Sequence, residues 1–286
     1  MNNKIFKIVL VLIVTSTSLI AQEINGLVID SESELPLAYV NVGVINTPKG
    51  TISNDHGEYT LNCKNLPADC KVQISMIGYE SQTFGINDLK NKTISLTRKP
   101  IALNEITIKW KEIIKEVGTS KTSKTAGVCG WGGTDFGKGH EIGLLVNLGD
   151  ELVKVKDFNL RIRKHSFDTI VFRLHIRQLE NGLPTYELLS ESIYLPITKP
   201  KGWQKFDLSA YNILLKGKVA VSIEWIKISK VMEKNLIKMN GSKVATPNVL
   251  FDMNGKKGTL YTRRGSAAKW RVQEKSSPGF YITIKE

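Results

Sequence analysis

The stretch Ala38–Val44 reads AYVNVGV and carries apolar residues at every second position over seven residues. Strict alternation of this kind is typical of a β-strand that buries one face. Pro36 lies just before it, where a strand needs no backbone donor, and the turn-forming run Asn46–Gly50 follows it. The stretch therefore predicts a short strand bounded by turns.

The same pattern continues on both sides, through residues 22–109. Short β-prone segments alternate there with turns such as Asp30–Ser33 and Asn54–Gly57. The predicted strands are Ile24–Ile29, Ala38–Val44, Glu58–Leu61, Val72–Met76, Thr83–Ile86 and Thr93–Leu96. Strands and turns at this spacing predict an all-β sandwich.

Six segments of this region also carry a family resemblance. They are Ile24–Asp30 (INGLVID), Pro36–Val42 (PLAYVNV), Gly50–Leu61 (GTISNDHGEYTL), Ile74–Tyr79 (ISMIGY), Ile94–Leu96 (ISL) and Leu103–Ile108 (LNEITI). Together they resemble the carboxypeptidase-regulatory-like domain, a transthyretin-type β-sandwich. The resemblance implies a non-catalytic domain of the kind that begins exported and outer-membrane proteins of the Bacteroidetes.

Residues 126–286 predict a second all-β domain. Its alternating or β-prone segments are Val153–Lys156, Phe158–Arg163, Phe172–Arg177, Leu188–Leu195, Trp203–Leu208, Val219–Trp225, Asn248–Met253, Thr259–Thr262 and Phe280–Ile284. Strands in this number favour a jelly-roll-like sandwich of two sheets. The run Gly202–Ser209, followed by a strand that ends near Trp225, resembles galactose-binding-type jelly rolls. That resemblance implies a binding module and names no ligand.

Residues 110–125 are predicted to link the two domains. Trp110–Val117 places its apolar residues on one side, which favours a short helix, and Gly118 would end it. The polar run Thr119–Thr125 has no pattern. We therefore place the boundary between residues 117 and 125.

Residues 1–21 have the form of a secretory signal peptide. Lys4 and Lys7 precede the apolar run Ile8–Val14, and Ala21 offers a small residue for cleavage. The alternative is an uncleaved anchor. Cleavage would leave no transmembrane segment, and would place the protein in the periplasm, on the outer-membrane surface or outside the cell.

The net charge of +13 is unevenly distributed. Residues 22–109 contain 8 basic and 10 acidic residues, whereas residues 110–286 contain 30 basic and 17 acidic ones. The asymmetry indicates two units with different partners. The length excludes a large outer-membrane transport barrel, and the single apolar run excludes a polytopic membrane protein.

The three cysteines suit an exported protein. Cys63 and Cys70 flank a short polar loop and are predicted to form a disulfide, with two free thiols as the alternative. Cys129 lies in the glycine-rich segment 127–139, and with His140 it would supply a thiol nucleophile and a base for a hydrolase. His140-Glu141 also begins a zinc-protease pattern, but Leu144 occupies the place of the second histidine. We therefore predict no catalytic site, no metal and no cofactor.

Candidate ligand-binding residues lie on two predicted strands of the second domain. Alternation directs Arg161 and Arg163 outward on one strand, and Arg173, His175 and Arg177 outward on the next. A short connection predicts that these strands are antiparallel neighbours, so that all five side chains would share one basic sheet face. The alternative is a solvated face with no ligand. Trp131, in the glycine-rich segment, is the candidate for stacking on a sugar ring or a partner.

The sequence thus predicts an exported, non-enzymatic, two-domain module of the cell envelope that binds carbohydrate. Its expected partner is an acidic polysaccharide, lipopolysaccharide or an envelope protein. Nucleic acid is not expected, because export removes the protein from the cytoplasm. Two alternatives remain: a secreted hydrolase, or an accessory to one, that uses Cys129 and His140, and a purely structural assembly subunit.

Overall fold

A computed structural model describes residues 23–99, 112–132, 138–228, 236–239, 242–245 and 248–286. Within these ranges the chain is built almost entirely of strands, with short 3-10 helices at Ile86–Leu89 and Ser209–Tyr211. None of the helices described is long and apolar enough to cross a membrane. The all-β prediction is confirmed. The predicted signal peptide lies outside the described residues.

The first domain packs a three-stranded sheet on a four-stranded sheet. Its strands are β1 (Glu23–Asp30), β2 (Asn41–Val44), β3 (Gly50–Ile52), β4 (Glu58–Asn62), β5 (Lys71–Ser75), β6 (Gln82–Gly85) and β7 (Lys92–Leu96). The sheets run β4-β1-β7 and β3-β2-β5-β6, and β1 pairs parallel with β7. Val28, Val42, Leu61 and Ile74 are fully buried between them.

The predicted strand at Ala38–Val44 is shorter in the structure, since β2 begins only at Asn41. Tyr39 has a φ of 62°, in the left-handed region that a strand does not use. The Val40 N–H instead bonds to the Ser53 Oγ at 2.8 Å. A turn therefore replaces the first part of the predicted strand, although the alternation of apolar residues continues through it.

The second domain begins with β8 and packs two larger sheets face to face. Its strands are β8 (Ile114–Gly118), β9 (Ser123–Gly132), β10 (His140–Asn147), β11 (Val153–His165), β12 (Ile170–Glu180), β13 (Leu183–Glu187), β14 (Ile193–Ile197), β15 (Gly202–Asp207), β16 (Leu214–Leu215), β17 (Lys218–Ile228), β18 (Leu236–Met239), β19 (Ser242–Ala245), β20 (Asn248–Asn254), β21 (Thr259–Arg264), β22 (Arg271–Glu274), β23 (Ser277–Pro278) and β24 (Phe280–Lys285). The two-sheet architecture agrees with the prediction, and the jelly-roll assignment stays a prediction.

One sheet, here called the inner sheet, runs β13-β12-β17-β10-β21-β22, with β14 also paired to β12. The other, the outer sheet, runs β23-β20-β11-β24-β8, with β15 and β16 paired to β11 and β9 paired to β20. β18 and β19 form a separate hairpin. Aromatic rings fill the space between the two large sheets: Phe158, Phe172, Trp225, Phe251 and Phe280 are each at most 1% exposed.

Two predictions about chain organisation are wrong. Residues 114–118 are not helix or linker: β8 pairs with β24 from Ile114 to Gly118 and closes an edge of the outer sheet. Its mostly exposed residues, which include Lys115 and Glu116, suit an edge strand. β11 and β12 are not neighbours either, because Phe167 enters the core between them and the chain crosses to the other sheet.

Candidate functional site

The first domain lies on the outward face of the inner sheet. The Arg173 Nη1 donates to the Tyr39 carbonyl at 2.9 Å, and the Asn46 N–H donates to the Ala267 carbonyl at 3.0 Å. Lys227 pairs with Asp55 at 2.5 Å. The domains therefore meet along a continuous seam, and the face that carries Arg173 is covered rather than solvated.

Glycines allow this close approach. A Cβ added at Gly43 would lie 2.7 Å from both Ala267 Cβ and Ser266 Oγ. One added at Gly78 would lie 2.7 Å from the Ser190 carbonyl oxygen, and Gly78 has a φ of 87°. Larger residues at these positions would clash with the second domain.

The covered face holds a buried ion-pair network. Arg173 and Glu224 are both 0% exposed, and the Arg173 Nη2 donates to the Glu224 Oε2 at 2.6 Å. Arg177 donates to Glu141 at 2.6 Å, and the Arg263 Nε donates to the other oxygen of Glu141 at 2.8 Å. Each carboxylate thus balances at least one guanidinium group, as buried charges require.

His175 lies at the centre of this network. Its Nδ1 is 2.6 Å from the Glu187 Oε2, and its Nε2 is 3.0 Å from the Glu224 Oε2. Burial alone would raise the pKa of Glu224, but Arg173 and His175 outweigh burial and lower that pKa to about 2. The charges of His175 and Arg177 likewise lower the pKa of Glu187 against the effect of its burial.

Glu141, His175 and Glu224 place ligand-type atoms within 4.8 Å of one another, as a metal site would. Their carboxylate oxygens already accept from Arg173, Arg177 and Arg263. A cation here would be repelled by three guanidinium groups at contact distance. The donor set therefore fits an ion-pair network better than a metal.

Two clefts open along the seam. The first, the polar cleft, has a volume of about 600 Å³ and is lined by network residues together with Asn41, Gln73 and Tyr186. Three predicted ligand-binding residues, Arg173, His175 and Arg177, line it. Their charges face Glu141, Glu187 and Glu224, so these three residues contribute no excess of positive charge to this surface.

The second, the cationic cleft, has a volume of about 530 Å³. Its lining includes Lys49, Arg264 and Arg271, all exposed, beside His140 and the paired Arg263. No Asp or Glu occurs among the described residues that line it. Trp131, Ile142 and Cys129 contribute its apolar surface.

Trp131 lies in strand β9, not in the loop that its glycine-rich surroundings favoured. Its ring lies 5.5 Å from the rings of Trp225 and Phe251 and 5.9 Å from that of Phe172. One side of Trp131 therefore completes the core, while the rest of the residue borders the cationic cleft. The close β9–β20 pairing explains Gly130, since a Cβ there would clash with the Val249 carbonyl.

Cys129 and His140 border the same cleft, as the hydrolase alternative would require. However, the Cys129 Sγ lies 2.8 Å from the Met253 Sδ, and burial raises the pKa of the thiol. A nucleophilic thiolate needs the opposite shift. The surroundings of Cys129 thus disfavour the hydrolase alternative.

Arg161 and Arg163 lie apart from the other predicted ligand residues, on the outward face of the outer sheet. Both pair with Asp252, at 2.8 Å and 2.5 Å. Arg161 also lies over the Trp203 ring, 5.6 Å from its centroid. The predicted single basic face is therefore wrong, because the sheets separate its members.

The predicted Cys63–Cys70 disulfide is not formed in the structure, where both residues are free thiols. The Cys63 Sγ is buried and donates to the Leu61 carbonyl at 3.3 Å. Burial raises the pKa of both thiols. Each sulfur is thus held by the packing of the first domain without a bridge.

Sequence reasoning missed the acidic partners of the network. Glu141 and Glu224 lie opposite each other on β10 and β17, and Arg173 lies opposite Glu224 on β12. The available signal was alternation. Glu224 falls between the buried residues Ile223 and Trp225, and Glu141 precedes the buried Ile142, so both glutamates are expected to point away from the core. The pairing of distant strands that brings them to the arginines has no local signal.

The family model of the CarboxypepD_reg-like domain matches residues 24–108. It confirms the family expected for the first domain and leaves the second unassigned. No curated protein shows significant similarity to the chain.

Among solved structures, the chain is similar to the cysteine protease and lectin-like domains of Cwp84, a surface layer associated protein of Clostridium difficile, with a TM-score of 0.39 and 9% identity. The similarity covers 87% of this chain and 58% of that one. The infectious bursal disease virus Gx strain structure gives a TM-score of 0.25 at 8% identity over the same shares of the two chains. Both likenesses are too low to support a function.

Proposed function

We propose that this chain is a non-catalytic, glycan-binding module of the cell envelope, and that the cationic cleft holds an acidic sugar residue. One observation carries the proposal. Lys49, Arg264 and Arg271 converge on a cleft that has an apolar floor, and no described acidic residue lines it.

The chemistry of the cleft suits a sugar acid. A guanidinium group binds a carboxylate through two parallel N–H donors, and such charge-assisted bonds are stronger than neutral ones. Trp131 offers ring surface to the C–H face of a pyranose. The guanidinium groups would therefore bind the carboxylate of a sugar acid, and the Trp131 ring would pack against its pyranose ring.

The charge around the cationic cleft supports a polymeric ligand. None of Lys49, Arg264 and Arg271 forms an ion pair with a described residue, unlike the arginines of the network. Free cations attract a polyanion from a distance, and this attraction weakens as salt increases. Acidic polysaccharide and lipopolysaccharide both provide such a ligand at the envelope.

Export is part of the proposal and rests on residues 1–21. Lys4, Lys7 and the apolar run Ile8–Val14 form the expected signal, with cleavage after Ala21. N-terminal sequencing of the protein recovered from its native host tests this part. A mature chain that begins at Gln22 supports export, and an intact Met1 contradicts cleavage.

The binding experiment uses calorimetry with polygalacturonate as the acidic probe and dextran as the neutral one. Replacing both arginines (Arg264→Gln with Arg271→Gln) should weaken polygalacturonate binding about tenfold or more, since two charge-assisted contacts are lost. The matched control is Lys256→Gln with Lys257→Gln, which removes two exposed charges at the far end of β21.

Equal weakening of polygalacturonate binding by both double variants would show a general charge effect and contradict binding at the cationic cleft. Dextran binding as tight as that of polygalacturonate would contradict acidic recognition. Competition by purified lipopolysaccharide then distinguishes the two natural sources of the acidic group.

A further inference from the structure

The polar cleft has a chemical character different from that of the cationic cleft. Its walls come from both domains: Asn41 and Gln73 from the first, and Arg177, Tyr186 and Glu187 from the second. With a volume of about 600 Å³, it is large enough for a monosaccharide. Arg263 lines both clefts, whereas the five residues named here line the polar cleft and not the cationic cleft.

A buried acceptor in this cleft lacks a partner. Asn41 is 5% exposed, and its Oδ1 accepts no hydrogen bond from any described residue. Buried polar atoms are almost always bonded, so an unbonded one requires an explanation. Asn41 is one of the residues that line the cleft, so a ligand bound there would lie beside this side chain.

The charges in the wall of the cleft are paired within the protein, and the exposed Lys99 is the one cation of its described lining that has no ion pair. We therefore expect a ligand without charge to fit the wall. Arg177 bonds to Glu141, and Glu187 bonds to His175 and to the Ile176 N–H. Their charges are therefore balanced within the protein. The Arg177 guanidinium is taken up by Glu141, Ser222 and His175. The Gln73 amide and the Glu187 carboxylate, whose side chain is 18% exposed, offer donors and acceptors to a ligand. A hydroxyl group is both donor and acceptor, so it suits such a wall.

The rim of the cleft is apolar and exposed. Tyr186 is 65% exposed and Leu188 is 42% exposed, and both line the cleft. An exposed tyrosine ring can pack against the C–H face of a sugar, while the polar groups beside it bond to the sugar's hydroxyls. We propose that the polar cleft is a second binding site, which takes a neutral sugar residue through Asn41, Glu187 and the ring of Tyr186.

The test is saturation-transfer NMR on the full chain with methyl glycosides of glucose, galactose, mannose and N-acetylglucosamine. High salt suppresses the cationic cleft and leaves neutral recognition intact. We expect a saturable signal from at least one glycoside. Asn41→Leu, which removes the orphan acceptor at similar size, should abolish that signal, as should Tyr186→Ala.

Tyr211→Ala is the matched control, because Tyr211 is an exposed tyrosine that does not line the cleft. It should keep the signal, and so should the protein with Arg264→Gln and Arg271→Gln. If the Asn41→Leu variant does not fold, the loss or retention of the glycoside signal in Tyr186→Ala tests the proposal. No saturable signal from any glycoside, or a signal that survives Tyr186→Ala, would overturn the proposal. Loss of polygalacturonate binding in the arginine variant bears only on the cationic cleft.

Discussion

The outward faces of the inner and outer sheets both carry paired arginines, but the first domain buries those of the inner sheet, whereas those of the outer sheet stay partly exposed. Arg173 and Arg177 on β12 lie beneath the first domain, at 0% and 7% exposed, and bond to Glu224 and Glu141. Arg161 and Arg163 on β11 share the single Asp252, and about a third of each side chain is exposed. Alternation fixes only that a side chain leaves the core. What covers it decides whether it needs a partner of its own.

The largest expected effect comes from removing one partner of a fully buried pair. Glu224→Gln leaves Arg173 uncompensated at 0% exposure, and should lower the free energy of unfolding by about 3–5 kcal/mol. Urea denaturation followed by tryptophan fluorescence measures it. The control is Glu180→Gln, at the exposed end of β12, the strand that carries Arg173. It should change the free energy of unfolding by less than about 0.5 kcal/mol. Similar losses in both variants would remove the contrast between the two faces.

The pH dependence of stability should be the next largest effect. The pKa of Glu224 is lowered from 4.5 to about 2 in the folded protein. A lowered pKa stabilises the fold above the unfolded value, and this contribution is lost as the pH falls from 4.5 toward 2. We expect a loss of about 2 kcal/mol in the free energy of unfolding across this range from Glu224. Urea midpoints at pH 5 and pH 3 should differ less in Glu224→Gln, and an unchanged difference would contradict the assignment.

A smaller effect is expected on the outer sheet. Asp252→Asn removes the shared carboxylate of Arg161 and Arg163, but water solvates both guanidinium groups. The cost should be about 1 kcal/mol. A loss as large as that of Glu224→Gln would mean that exposure does not separate the two faces. The same denaturation assay, run at low and high salt, measures the effect.

The smallest effect belongs to the exposed ion pair across the domain seam. Lys227 and Asp55 lie 2.5 Å apart, and about half of each side chain is exposed. Lys227→Ala should therefore cost about 0–0.5 kcal/mol. Differential scanning calorimetry also reports whether one transition splits into two. A split would show that the seam depends on this pair rather than on the covered network.

Local pattern predicted most of the fold. Strands such as β1, β4 and β12 were found within a few residues, because alternation is set by the strand itself. The domain seam could not be predicted, since it depends on Gly43 and Asn46 meeting Ala267 across more than 200 residues of chain.

The candidate site was predicted only in fragments. Arg173, His175 and Arg177 do line one cleft and Trp131 the other, but their chemistry depends on partners from distant strands. Sequence spacing placed β11 beside β12, and one buried residue in the connection, Phe167, moves the chain to the other sheet. The pairing of Arg173 and Arg177 with glutamates could not be predicted without knowing that β12 lies beside β17 and β17 beside β10.

The glycines at the seam have a consequence for how ligands are held. Because Gly43 and Gly78 let one backbone rest directly on the other domain, the clefts beside them are formed before any ligand arrives. Binding to a pre-formed cleft costs less conformational entropy than binding that first has to close the cleft around the ligand. The same feature makes Gly43→Val a means of separating the domains sterically without removing any charge or any side chain that lines the clefts.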